Sequence, residues 1–207
     1  MLTAGHLVRT GDLISLVTET EFVQDAVDEV VHAPGRLDVA ITFLRSSASS
    51  QLLHYALPLE RIEQRSERRI PEGSMLIAAG FPEQFTYDAH HPDGPVQHRF
   101  ADILNYTSDF THDDRTISIA WKQGQVSGDS FPYDDLEVPR DRAIQFKKPT
   151  GLSGGPVYLV RTTRKETLWS PSGDATLIGV ATEFTVNRRE QALPWWRWSQ
   201  WVMDMLK

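Results

Sequence analysis

The chemistry-bearing residues that stand out are a serine, a histidine and an aspartate, each in a short glycine-rich or apolar setting. Ser153 lies in Gly151-Leu152-Ser153-Gly154-Gly155-Pro156-Val157. His6 lies in Leu2-Thr3-Ala4-Gly5-His6-Leu7-Val8, and Asp38 in Leu37-Asp38-Val39-Ala40-Ile41. A serine hydroxyl is a poor nucleophile until a neighbouring base takes its proton. Imidazole titrates near neutral pH and suits that task, and a carboxylate can hold it in one tautomer. Together the three groups could run acyl transfer through a serine ester. Taken singly, each has a plainer reading: an ordinary loop, a surface histidine and a turn-adjacent acid. Rivals are weaker in context. His32 precedes Asp38 closely but lacks the Thr-Ala-Gly-His setting, and Asp25 and Asp28 lack the apolar run that follows Asp38. Ser170 and Ser172 sit in a Ser-Pro-Ser-Gly-Asp turn.

In their order along the chain, His then Asp then Ser, the three stretches resemble the motifs of chymotrypsin-like (trypsin-like) serine peptidases. The resemblance spans nearly the whole chain. It implies that His6 takes the Ser153 proton and later protonates the leaving amine, while Asp38 orients the imidazole and stabilises its charged form. It implies an oxyanion hole from the backbone N–H groups of Gly151 and Ser153, where one lost donor typically costs ~10²–10³ in turnover. Glycine at 151 can turn its amide toward a substrate without a Cβ penalty. Gly154 and Gly155 let neighbouring backbone come close.

Two departures from that family carry information. Leu7 stands where secreted members usually have cysteine, and Leu152 stands where zymogen-type members have an acid that pairs with a newly cut N-terminus. The chain therefore resembles disulfide-free bacterial peptidases of this fold, and no activation by that ion pair is expected. By position, Lys147 falls near the base of the primary pocket, where it could favour an acidic P1 side chain or point to solvent in a shifted loop. Thr182, Glu183 and Phe184 fall on the substrate-side strand, with Phe184 placed to narrow the pocket.

The bulk properties are those of an ordinary soluble globular protein. The chain has 207 residues, 40% hydrophobic and 24% charged, which suffices for a sizeable core. Its net charge of −7 argues against nucleic acid as the main partner, because counterion release needs a concentrated basic surface. The run Arg65-Ser66-Glu67-Arg68-Arg69 is mixed in sign and reads as a solvated loop. His90, His91, Asp93, His98 and His112-Asp113-Asp114 share no metal-binding motif, so no metal and no cofactor are expected. Cysteine is absent, which fits a reducing compartment. No secretory leader and no membrane-length apolar stretch are visible, so a cytoplasmic protein without membrane contact is expected.

The elements that must position these groups read as short strands with turn punctuation. Strands are expected over 13–17, 37–44, 74–80, 116–122, 156–161 and 175–186, the last two as a hairpin. The polar segment 88–114 reads as long loops around one short strand. Pro194 can open a helix over 194–206 whose face carries Trp195, Trp198, Trp201, Val202, Met205 and Leu206. The expected fold class is all-β, a chymotrypsin-like double β-barrel with a C-terminal helix. The N-terminal barrel is expected over 1–82, linker and loops over 83–115, and the C-terminal barrel with its helix over 116–207. His6 lies close to Met1, so the first strands of the N-terminal barrel are expected to be missing from this sequence. The expected partners are a protein or peptide substrate and a restraining protein or domain. A protease-fold binding module with little or no activity is the alternative.

Overall fold

The computed structural model describes residues 1–9, 11, 14, 16–17, 22–52, 58–65, 67–80, 87–89, 97–99, 103–120, 126–127, 152–160, 175–185 and 189–207. The described residues are mostly β, with two α-helices. In the N-terminal part, β1 (Leu2–Thr3), β2 (Leu16–Val17), β3 (Phe22–Val23), β4 (Val27–His32) and β5 (Ala40–Leu44) precede α1 (Ser46–Leu52). Three of these form an antiparallel sheet in the order β1-β5-β4, and β2 pairs with β3. The pairing of Thr42 with Met1 in both directions, through N–H to the Met1 carbonyl at 2.8 Å and from the Met1 ammonium at 2.6 Å, fastens β1 to β5.

The remaining strands are β6 (Met75–Gly80), β7 (Tyr87–Ala89), β8 (Gln97–Arg99), β9 (Ile103–Thr107), β10 (Phe110–His112), β11 (Ile117–Ala120), β12 (Val126–Ser127), β13 (Pro156–Val160), β14 (Ala175–Thr185) and β15 (Arg189–Pro194), followed by α2 (Trp195–Met205). Eight of them build one antiparallel sheet in the order β10-β11-β15-β14-β13-β6-β9-β12. β13 and β14 pair as the expected hairpin. Residues Ala175 to Ala181 of β14 are all buried, as befits a central strand covered on both faces. Exposure begins at Thr182, where the register against β15 shifts between Ala181 and Glu183. Thr182 is thus the extra residue of a β-bulge, a device that re-aims a strand and often lies beside functional sites.

Several expectations change in detail. The strand over 75–80 pairs with β9 and β13, so the sheet around Ser153 begins before residue 82. The segment 88–114 holds parts of four short strands rather than one. β15 was not expected, because its inward positions are Glu190, Ala192 and Pro194, which hide the apolar alternation. The run at 65–69 is not wholly solvated. Arg65 Nε lies 2.9 Å from Oε2 of the buried Glu63, an ionic contact off the hydrogen-bond direction. Its guanidinium also lies 5.8 Å from the Trp195 ring centroid, within cation–π range.

One core cluster joins the two parts: Val39 and Ile41 pack with Leu76, Ile117, Val157, Ile178 and Trp198 among others. α2 docks on it through Trp195, Trp198 and Val202. Each of three indole N–H groups finds a backbone acceptor in a different place: Trp195 on Arg65 at 3.2 Å, Trp196 on Asp114 at 3.1 Å and Trp198 on Leu193 at 3.0 Å. Buried indoles need such partners, and three of them fix both the position and the rotation of the helix. Met205 and Leu206, expected on the docked face, are exposed instead. Among the described residues no helix is long and apolar enough to cross a membrane.

Candidate active site

His6 sits in a single 3-10 turn, Gly5–Leu7, directly after β1. Asp38 lies just before β5, the partner of β1. The pairing Leu2 with Ile41 and Thr3 with Ala40, carried two residues further, brings Gly5 beside Asp38. A Cβ at Gly5 would lie 3.1 Å from the Val39 nitrogen and 3.3 Å from Asp38 Oδ1, so glycine permits this approach. Both carboxylate oxygens of Asp38 are then used on one residue. The His6 backbone N–H donates to Oδ1 at 2.7 Å, and His6 Nδ1 lies 2.6 Å from Oδ2. Donation from Nδ1–H leaves Nε2 with its lone pair free to act as a base. The pair is open to water, with side-chain exposures of 47% for His6 and 35% for Asp38.

Ser153 lies in a tight turn that feeds β13. The Gly155 N–H donates to the Leu152 carbonyl at 2.9 Å, and Gly154, third in the turn, has φ +84°. That conformation is cheap for glycine and costly for other residues. The turn is stitched to β14 by Gly154 N–H to Ala181 O at 2.7 Å and Ala181 N–H to Gly155 O at 2.8 Å. The Ser153 hydroxyl donates to the Thr182 carbonyl at 2.8 Å. The bulge at Thr182 turns that carbonyl toward the serine.

The serine turn rests against the histidine turn. A Cβ at Gly154 would lie 2.5 Å from Thr3 Oγ1, 2.9 Å from Leu7 Cδ1 and 3.4 Å from the Ala4 nitrogen. The residue after Ser153 therefore touches residues on both sides of His6. His6, Asp38 and Ser153, expected as a group, belong to adjoining segments. Gly151 and Lys147 lie outside the described residues, so the expected oxyanion pair is represented by Ser153 alone. Of the substrate-side residues, Thr182 contacts Ser153, Glu183 is exposed, and Phe184 packs against the main core.

The rival residues are engaged elsewhere. Asp25 and Asp28 pair with Arg45, and His32 is an exposed residue of β4. Ser170 and Ser172 lie outside the described residues, as do His90, His91 and Asp93. His112 accepts from the Ile70 N–H at 3.4 Å and stacks edge-on against Trp196. Asp113 accepts from the backbone N–H groups of Arg115 and Thr116, which hold its carboxyl below the usual carboxylate range. Among the described residues no three of His, Cys, Asp and Glu gather as a metal would require.

Three contributors escaped the sequence reading: Thr3 and Leu7 as contacts of Gly154, and Gly80, on which Leu152 packs. Only Gly80 carries a local signal, as a glycine closing an apolar strand. No protein-family model and no curated protein sequence matches the chain.

Proposed function

We propose that the chain is a serine endopeptidase of chymotrypsin-like type that cleaves peptide bonds through an acyl-enzyme on Ser153. One observation carries this reading: Asp38 holds His6 through both its backbone and its ring, while the Ser153 turn abuts the residues that flank His6. A surface histidine in a plain loop has no need of such an arrangement.

The reaction follows from these groups. Ser153 Oγ attacks the scissile carbonyl carbon as its proton passes to His6 Nε2. The carbonyl oxygen becomes an oxyanion facing the N–H groups of Ser153 and Gly151. Asp38 stabilises the imidazolium without itself taking the proton. The tetrahedral species collapses, the C–N bond breaks, and His6 gives its proton to the leaving amine. Water then attacks the Ser153 ester, with His6 again as base. In the resting arrangement the single hydroxyl proton of Ser153 points to Thr182 O, so it must be redirected to His6 Nε2 before attack.

Further details belong to the same proposal. Strands on both sides of the site support a double barrel. For Lys147, which lies outside the described residues, two readings stand, a solvent-facing loop residue or a selector of an acidic P1 side chain; cleavage of a peptide library tests the second, and indifference to Asp or Glu at P1 defeats it. Leu152 beside the nucleophile rules out a charge-pair activation switch, so restraint comes from a partner protein or domain. The lack of cysteine supports action in the cytoplasm.

The resting bond from Ser153 to Thr182, and the water-exposed His6–Asp38 pair, favour a second reading as a binding module of the same fold with weak or no activity. A fluorophosphonate probe separates the two. Labelling of the wild type that is lost in Ser153→Ala and His6→Ala supports the enzyme. No labelling of a folded wild type, checked by thermal unfolding, defeats it. Labelling with hydrolysis of activated esters but of no peptide reassigns the chain as a serine esterase.

A further inference from the structure

Leu152, immediately before the nucleophile, is 3% exposed and belongs to the main core. The other residues of the turn, Ser153, Gly154 and Gly155, are half-buried. Leu152 is therefore the one side chain through which this turn enters the core. Its seat is the end of β6. A Cβ at Gly80 would lie 2.6 Å from Leu152 Cδ2 and 3.3 Å from its Cα. The pairing of Val157 with Ala78, carried on two residues, sets Gly80 opposite Gly155, so the strand end runs beneath the turn. The absence of a side chain at 80 makes the space that Leu152 fills.

This contact bears on Ser153 directly. The three backbone bonds of the turn tie residues 152, 154 and 155, and the Ser153 hydroxyl bond reaches only Thr182. The peptide plane joining Leu152 to Ser153 carries both the Leu152 carbonyl, which accepts from the Gly155 N–H, and the Ser153 N–H, and the buried Leu152 side chain anchors the Cα at one end of that plane. Packed interiors resist displacement of such an anchor because side chains interdigitate at crystal-like density.

We propose that Leu152, seated on Gly80, is a positioning residue that holds the Ser153 turn and its N–H in the competent orientation. The proposal rests on the reading of Ser153 as nucleophile. It makes the turn's competence a matter of apolar packing, in place of a charge pair.

The test uses the full chain with a fluorophosphonate probe and p-nitrophenyl acetate, and a thermal-unfolding check that each variant is folded at the assay temperature. Leu152→Ala is expected to lower kcat for the ester and the labelling rate by about 100-fold, the scale of a ~1 Å misplacement. KM for the ester is expected to stay near the wild-type value. Leu152→Met, which keeps the volume, is expected to restore most of the rate. Gly80→Ala is expected to slow acylation by pushing on the leucine, and Gly80→Ala with Leu152→Val to recover part of the loss. A folded Leu152→Ala that acylates at the wild-type rate overturns the proposal. Should Leu152→Ala fail to fold, the Gly80 pair decides: no recovery in the double variant overturns it, and recovery supports it. Wild type that neither labels nor turns over shows the nucleophile reading itself to be wrong, before any variant is compared, and the proposal falls with it.

Discussion

Asp38 binds His6 twice: Oδ1 accepts the backbone N–H at 2.7 Å, and Oδ2 faces Nδ1 at 2.6 Å. The first bond fixes the turn that carries the imidazole, and the second fixes the ring and its tautomer. One carboxylate thus sets both the position and the protonation pattern of the candidate base.

Asp38→Asn should separate the two roles. The amide oxygen can still accept the backbone N–H, but an amide NH₂ facing Nδ1 forces the wrong tautomer. Hydrolysis of an activated ester should fall by about 10²–10⁴-fold, the range of general-base contributions. Because both groups stand substantially in water, stability should change by less than about 1 kcal/mol. Ester kinetics and urea unfolding of the same variant check both halves.

Gly154→Ala should damage the turn and the seam together. At φ +84° a Cβ costs about 1–2 kcal/mol from the backbone alone. The new methyl would also press on Thr3 Oγ1 and Leu7 Cδ1, and so part the serine turn from the histidine turn. Urea unfolding should show at least that loss, with fluorophosphonate labelling strongly reduced. A variant as stable as the wild type would contradict the described turn.

Trp198→Ala tests the docking of α2. The side chain is fully buried and its N–H is satisfied by Leu193 O. The loss should be about 3–5 kcal/mol, as for other buried aromatic truncations. Met205→Ala, two turns further along the helix and exposed, should stay within about 0.5 kcal/mol of the wild type. Chemical denaturation of the two variants makes the comparison.

Asp113 gives a pH dependence with a definite sign. Its folded-state carboxyl is held below the ordinary value of 3.8 by the N–H groups of Arg115 and Thr116. Its contribution is therefore fully present above that value and is lost as pH falls through the lower folded value. The Tm difference between wild type and Asp113→Ala should be constant above about pH 5 and shrink toward acid. The group is solvent-exposed, so the effect should be small. A difference that grows on acidification would reverse the assignment.

Some of this molecule is legible in local sequence. The run from Trp195 to Val202 repeats at helical spacing, and the helix forms there because one face is apolar enough to bury. The strands over 75–80 and 156–160 are short apolar runs between turn residues, and both form. β15 is illegible because its buried Glu190 interrupts the apolar alternation. Arg65 belongs by sequence to a solvated charged run, yet it joins Glu63 and Trp195. Its partners come from its own loop and from a helix far along the chain, and no local pattern encodes that meeting.

The same division runs through the candidate site. Sequence alone determined which groups are available, in what order, and that Gly154 and Gly155 allow a close turn, because residue type and chain order are local properties. Tertiary structure decided that Asp38 engages His6 through both oxygens, that Gly154 lies between Thr3 and Leu7, and that the Ser153 proton rests on Thr182. Those relations depend on strand register, on a bulge at Thr182 and on the filling of space above Gly80. Each is set by long-range pairing and burial, which the identity of neighbouring residues along the chain does not specify.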